Sequence, residues 1–232
     1  MPTITQAKTL KISTVELVPV GFKNEHNQPS GLLYDIANAI ADNAQLPYVN
    51  TLKPYPRILL ELESGTADIS MLYPNKRLKG KVVNIAKIFT DSNVIVARPE
   101  FTIRSLTDLH GKKVATIRNA HYSSEFDSDV NITKVSVNNY NQGIRLLLHG
   151  RVDAIIGALG SISYELKTMD TKWDAFGQPY VLNTKTVWMQ MSSKNYDRKL
   201  VDKLISSINT LKQQGVLKEI IVKYTGETLI YY

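Results

Sequence analysis

The 232-residue chain contains no cysteine. That excludes disulfides, thiolate metal sites and cysteine nucleophiles, and it leaves the redox compartment open. Histidine is scarce as well: His26, His110, His121 and His149 are scattered without ligand spacing, so neither a metal nor a cofactor is expected. No run approaches the ~18 apolar residues of a membrane helix. The opening Met1-Pro-Thr-Ile-Thr-Gln6 lacks a basic segment followed by an apolar stretch. It reads either as a cytoplasmic start or as a mature form whose leader has been removed. The 28 lysines and arginines outnumber 21 acidic residues, but they form no long basic run and carry no stacked-aromatic pattern. The net charge of +7 is read as a solvated face suited to an anionic surface or small molecule, and nucleic acid is not expected as a partner.

Hydrophobic content of 43% and charged content of 21% are ordinary for a globular protein, and the length allows one large domain or two modest lobes. The stretch around which the rest is organised runs from Pro56 to Arg77. Ile58, Leu59 and Leu62 recur at helical spacing after a proline suited to a first turn, and Gly65 stands where a helix ends in a left-handed residue. Ile69, Met71 and Leu72 then make a short buried strand. Pro74 ends it and starts a basic loop with Lys76, Arg77, Lys79 and Lys81, outside the strand's carboxyl end, where open α/β sheets bind ligands. The same order recurs once, from Ile144 through Gly150 and Asp153 to Gly157, which suggests two α/β lobes of related build.

Taken in order, Leu10–Val15 reads as a buried strand, Leu17–Phe22 as an apolar loop and Gly31–Gln45 as an amphipathic helix with Leu33, Ile36, Ala37, Ile40 and Ala44 on one face. Tyr48–Leu52, Ile85–Ile88, Asn93–Val96, Lys113–Ile117 and Ile132–Val137 read as extended. Ser105–His110 reads as one capped helical turn closed by Gly111, and Ser161–Met169 as a helix. Val181-Leu182 and Thr186–Met191 are expected as strands around a polar turn at Asn183-Thr-Lys185. Leu200, Leu204, Ile208 and Leu211 mark a long helix stopped by Gly215 before a second one from Val216 to Tyr224. This alternation predicts an α/β fold with largely parallel sheets.

The collinear order of Leu10-Lys-Ile-Ser, Pro19-Val-Gly-Phe22, Gly31-Leu-Leu-Tyr-Asp-Ile-Ala, Leu62-Glu-Ser-Gly-Thr-Ala-Asp-Ile, Lys76-Arg77, Ser105-Leu-Thr-Asp-Leu-His-Gly-Lys-Lys-Val-Ala, Gly150-Arg-Val-Asp-Ala and Asn209–Ile220 resembles type II periplasmic solute-binding proteins. The subfamily it is similar to is the polar amino acid-binding one, bacterial extracellular solute-binding family 3, of ABC importers. The resemblance implies a two-lobe fold, each lobe a central, largely parallel sheet flanked by helices, with the ligand cleft between them. Lobe 1 would comprise residues 1–96 and 191–232 and lobe 2 residues 97–190. The crossovers would lie near 94–99 and 187–192, and closure would be a hinge motion around the solute.

By the same resemblance Arg77 matches an arginine that grips a ligand carboxylate through two parallel donors. Phe22 and Tyr55 match aromatic walls over the ligand's apolar part. Arg57 lies on the helix before the first lobe's strand, facing either the cleft or solvent, and Tyr73 follows that strand directly. Arg118, His121 and Tyr122 sit on the corresponding loop of the second lobe, where His121 would donate to an anion or respond to pH. Two departures stand out. Ala158 occupies the position where the family holds the ligand ammonium with an acid, and Asn119-Ala-His121 replaces a glycine- and threonine-bearing turn. Loss of a charge-assisted partner costs an ammonium about 1.5–3 kcal/mol, so a ligand other than a standard L-α-amino acid is expected.

The function implied is capture of a small polar, carboxylate-bearing solute by a monomeric periplasmic protein that hands it to an ABC permease. A ligand-sensing module that addresses a membrane receptor is the alternative, and a lyase-type enzyme on the same fold a more distant one. Acid–base catalysis needs a poised carboxylate or histidine. Here Asp68 and Asp153 suit structural turns, so no catalytic residue and no enzyme activity are expected.

Overall fold

The computed structural model describes residues 9–118 and 120–226. These divide into two compact units, one of residues 9–89 and 186–224, the other built on Thr90–Lys185. No helix among the described residues is long and apolar enough to cross a membrane.

In the first unit, β1 (Leu10–Val15) leads through a tight loop to a small hairpin, β2 (Phe22–Lys23) with β3 (Pro29–Ser30). The sequence reading missed this hairpin because its turn is held by a side chain: Asn24 Oδ1 accepts from the N–H groups of His26 and Gln28 at 3.0 Å each. Then come α1 (Leu32–Asn43), β4 (Tyr48–Lys53), α2 (Tyr55–Ser64) and β5 (Ile69–Leu72). Gly65 ends α2 at φ +79°, the left-handed turn its sequence predicts. β1 lies parallel to both β4 and β5. The apolar faces of α1 and α2 follow from their 3.6-residue periodicity, burying Ile36 and Ile40 on one helix and Ile58 and Leu62 on the other.

β6 (Val82–Ala97) carries the chain out of the first unit. Two extended pieces were expected here, but Asp91 and Ser92 continue one 16-residue strand. In the second unit follow β7 (Lys113–Ile117), α3 (Ser124–Ser128), β8 (Thr133–Val137), α4 (Tyr140–Leu148), β9 (Ala154–Ala158) and α5 (Leu159–Thr168). The strand order is β6-β9-β7-β8, with β7 parallel to β8 and β9, and β6 antiparallel to β9. Alternation along β6 sends Val94 and Val96 into one core and Ile95 and Ala97 into another. The sheet is therefore covered on both faces.

β10 (Tyr180–Ser192) returns the chain to the first unit, antiparallel to β5, with Met189 opposite Met71. The polar turn expected at Asn183-Thr-Lys185 is strand instead, because Asn183 pairs its amide with Asn93 at 3.0 Å and with the Tyr122 carbonyl at 2.9 Å. The division between units falls at residues 89–90 and 185–186, ahead of the crossovers expected at 94–99 and 187–192. Both crossings lie inside continuous strands, so no proline or break marks them. α6 (Arg198–Gln213) and α7 (Val216–Thr225) close the fold. The buried stripe of α6 is Val201, Leu204, Ser207, Ile208 and Leu211, and Leu200 lies at its edge. Ser207 fits because its hydroxyl donates to the Ile40 carbonyl at 2.8 Å, letting α6 approach α1.

Candidate ligand site

In the first unit, residues just past the carboxyl ends of β1, β4 and β5 form the rim. Gly21 is required there, since a Cβ would stand 2.7 Å from the Val15 carbonyl oxygen and 2.8 Å from Leu52. The loop thereby returns the chain to Phe22, whose half-buried ring meets Tyr224 edge-on at 6.3 Å. Tyr224 is fixed in turn, donating to Asp35 at 2.6 Å and accepting from the Gly31 N–H at 3.0 Å. Tyr55 opens α2, and its hydroxyl accepts from Asn75 Nδ2 at 2.7 Å, which ties the helix start to the loop after β5. Tyr73 follows β5 directly, and both tyrosine rings are 38% exposed.

Beneath this rim Glu61 is almost fully buried. It accepts from Lys53 at 2.7 and 2.9 Å, from Ser13 at 2.9 Å and from Arg57 Nε at 3.1 Å. Burial pushes its carboxyl upward, but the bonds from Lys53, Ser13 and Arg57 outweigh that and hold it below the usual range. Arg57 is thus a turn-to-turn partner of Glu61 as well as an exposed group.

Arg77 lies in a short 3-10 turn, Lys76–Leu78, capped by Asn75, whose side-chain oxygen accepts the Arg77 N–H at 2.8 Å. Its guanidinium faces Glu63 Oε2 at 3.2 and 3.4 Å, while Lys81 holds the other oxygen. Lys81 and Arg77 together keep Glu63 ionised well below its ordinary value. The pair is long for a charge-assisted bond, and half of the arginine side chain faces solvent.

In the second unit the rim follows β7, β8 and β9. Arg118 is exposed and its N–H donates to the Val137 carbonyl at 3.0 Å. His121 is 90% exposed, with Nδ1 3.8 Å from Asp127. Asn119 lies outside the described residues. Tyr122, expected among the ligand groups, is a core residue instead: it is 7% exposed, its ring meets Phe126 edge-on, and its hydroxyl accepts from the Ile117 N–H at 2.9 Å. Burial pushes its phenol upward, so it stays protonated. The expectation failed because Ser123 caps α3 and turns the preceding ring inward over Phe126.

Sequence reasoning missed Asp91 and Tyr140. Asp91 is 8% exposed, and its Oδ1 accepts from its neighbour Ser92 at 2.7 Å and from Gly160, near the start of α5, at 3.3 Å. The N-cap of α5 is Ala158, which has no side chain to offer. Tyr140 lies across Gly157, where no Cβ has room, and its hydroxyl accepts from the Ala158 N–H at 3.3 Å. The signal for Asp91 is a lone acid between two extended segments, Ile85–Ile88 and Asn93–Val96. Among the described residues no cluster of three metal-ligating side chains occurs.

Residues 10–227 match the bacterial extracellular solute-binding proteins, family 3. The chain is 22% identical over 223 residues to a protein of Bacillus subtilis (strain 168) named as the probable amino-acid-binding protein YxeM, covering 94% of this chain and 83% of that one. It also resembles the crystal structure of the L-cystine solute receptor of Neisseria gonorrhoeae in its unliganded open conformation. That match has a TM-score of 0.76 at 17% identity, over 94% of this chain and 92% of the receptor. A histidine kinase sensor domain similar to periplasmic binding proteins matches with a TM-score of 0.70 at 18% identity, over 97% and 99% of the two chains. At such identities these likenesses concern the fold.

Proposed function

Because the chain belongs to the bacterial extracellular solute-binding proteins, family 3, we propose that it captures a small, amino-acid-like, carboxylate-bearing solute outside the cytoplasm and passes it to an ABC permease. The observation that carries this reading is a match over residues 10–227, which takes in both units. The Bacillus subtilis relative, named a probable amino-acid-binding protein, supports an amino-acid-like ligand. The solute carboxylate goes to Arg77. Its hold on Glu63 is loose, and Lys81 keeps Glu63 partnered once the guanidinium turns to the solute, so the exchange leaves no bare carboxylate. In the first unit Phe22, Tyr55 and Tyr73 supply apolar cover and Arg57 a polar donor, and in the second unit Arg118 and His121 supply polar donors at that unit's own rim.

A thermal-unfolding screen tests this, using L-amino acids, dicarboxylates, keto acids and polyamines against wild type and Arg77→Ala. A solute at a hundred times its Kd stabilises by ~2.7 kcal/mol and raises the midpoint by a few degrees. The expected result is a shift with a carboxylate solute that disappears in Arg77→Ala. A shift retained in full by the variant would leave Arg77 as a surface ion-pair residue. The sensing alternative is favoured by the histidine kinase sensor domain, which matches over nearly its whole length. A receptor pull-down that depends on solute and needs no permease would select it.

A further inference from the structure

We propose that Asp91 is the anionic subsite of the second unit and takes the ammonium group of the captured solute, in place of an acid at position 158. The inference rests on the solute-capture reading above and names the class of solute: one that carries an amine beside its carboxylate.

Four observations carry it. Asp91 is more than nine-tenths buried, yet no cation among the described residues lies within ion-pair distance of it. An isolated buried carboxylate is costly, and such groups are ordinarily paired. Secondly, its two bonds both go to Oδ1. Oδ2 accepts none among the described residues. One oxygen thus braces α5 while the other is unbonded.

Thirdly, its place is at the strand ends. Asn93 is opposite Ala158 in the β6–β9 register, and Asp91, two residues earlier, reaches the Gly160 N–H just past the end of β9. Its charge therefore arrives at Gly160, two residues past Ala158, from the neighbouring strand. Fourthly, what surrounds it is neutral. The titratable group facing it is Tyr140 on α4, whose phenol burial pushes upward and so keeps protonated, and the remaining partners are backbone N–H groups of Ser92 and Gly160. Burial raises the carboxyl to about 6, opposed by those two bonds, as befits an anion waiting for a countercharge. An arriving ammonium would supply that charge and hold Asp91 ionised.

Isothermal titration of the twenty L-amino acids and their 2-hydroxy acid analogues against wild type, Asp91→Asn and Asp91→Asn/Ala158→Asp tests the assignment. Asparagine keeps an oxygen for the Gly160 N–H, so the variant retains the brace and loses only the charge. The expected result is a wild type that prefers an amino acid over its hydroxy analogue, a preference lost by about ten- to a hundredfold in Asp91→Asn and partly restored in the double variant. Wild-type affinity for the amino acid should also fall about tenfold from pH 7 to pH 5, with Asp91→Asn flat. Equal wild-type affinity for both analogues, or an Asp91→Asn preference equal to wild type, would overturn the subsite and leave solute capture standing. Binding of a dicarboxylate or keto acid with none of the amino acids would overturn the subsite alone, and no binding by this panel or by the thermal-unfolding panel at millimolar concentration would overturn both.

Discussion

Asp68 and Asp153 do the same work in their separate units. Asp68 accepts the Lys11 N–H at 2.8 Å through Oδ2 and gives its own N–H to the Lys11 carbonyl at 2.8 Å; Asp153 makes the same exchange with Lys113 at the same distances. In each case a leucine-rich helix, a left-handed glycine and two residues lead to an aspartate that locks the coming strand to its neighbour. The sequence echo is a structural repeat.

The two locks should differ in strength. Asp68 is 2% exposed and also accepts from Asn195 at 2.7 Å, whereas Asp153 is half-buried. Asp68→Ala leaves two donors unsatisfied and should cost about 2–4 kcal/mol, and Asp153→Ala about 1 kcal/mol. Urea unfolding of both variants measures this, and equal losses would contradict the burial argument.

Glu61→Ala should cost about 3 kcal/mol, because it strands Lys53 and Ser13 beneath the rim, while Arg57→Ala should cost under about 0.5 kcal/mol for an exposed i,i+4 partner. The Glu61 carboxyl is lowered on folding, so its contribution is complete above the ordinary value of 4.5 and is lost as pH falls through the lower folded value. Wild type and Glu61→Ala should therefore converge in stability toward acid. Curves that stay parallel would deny the ion cluster its role.

Asp91 has the opposite sign. Its carboxyl rises from 3.8 to about 6 on folding, so the native state binds the extra proton and this group favours folding below its unfolded value. That contribution is lost as pH climbs through about 6. Relative to Asp91→Asn, wild type without solute should lose up to about 3 kcal/mol between pH 4 and pH 7, at ~1.36 kcal/mol per pH unit. Denaturation at several pH values decides it, and a difference independent of pH would place Asp91 among ordinary exposed carboxylates.

Gly157→Ala should destabilise the second unit by about 1–3 kcal/mol, since the new methyl collides with the Tyr140 ring, whose Cζ would be 2.8 Å away. Truncating Tyr140 to alanine in the same chain should recover part of the loss. A double-mutant cycle with no coupling would show that the ring simply moves aside.

Much of the fold was legible because periodicity and turn chemistry are local. α2, Gly65 and β5 follow from the spacing of Ile58, Leu59 and Leu62 and from a residue that tolerates φ +79°. From sequence β6 and β10 each look like two extended pieces, with Asp91 in the gap of one and Asn183 in the polar turn of the other. What permits them inside strands is bonding to partners distant in sequence: Gly160 for Asp91, and Asn93 and Tyr122 for Asn183.

The candidate site divides along the same line. Residue order placed Tyr55, Tyr73, Arg77, Arg118 and His121 after strand ends, because a strand's end and its loop are contiguous. That order also showed Ala158 where no acid can act. Only the tertiary structure turned Tyr122 into the core, set Arg77 against Glu63 and brought Asp91 to the Gly160 N–H, two residues past Ala158. Side-chain direction, burial and unmet charge depend on which strands become neighbours, and the chain has no local pattern that encodes an atom missing its partner.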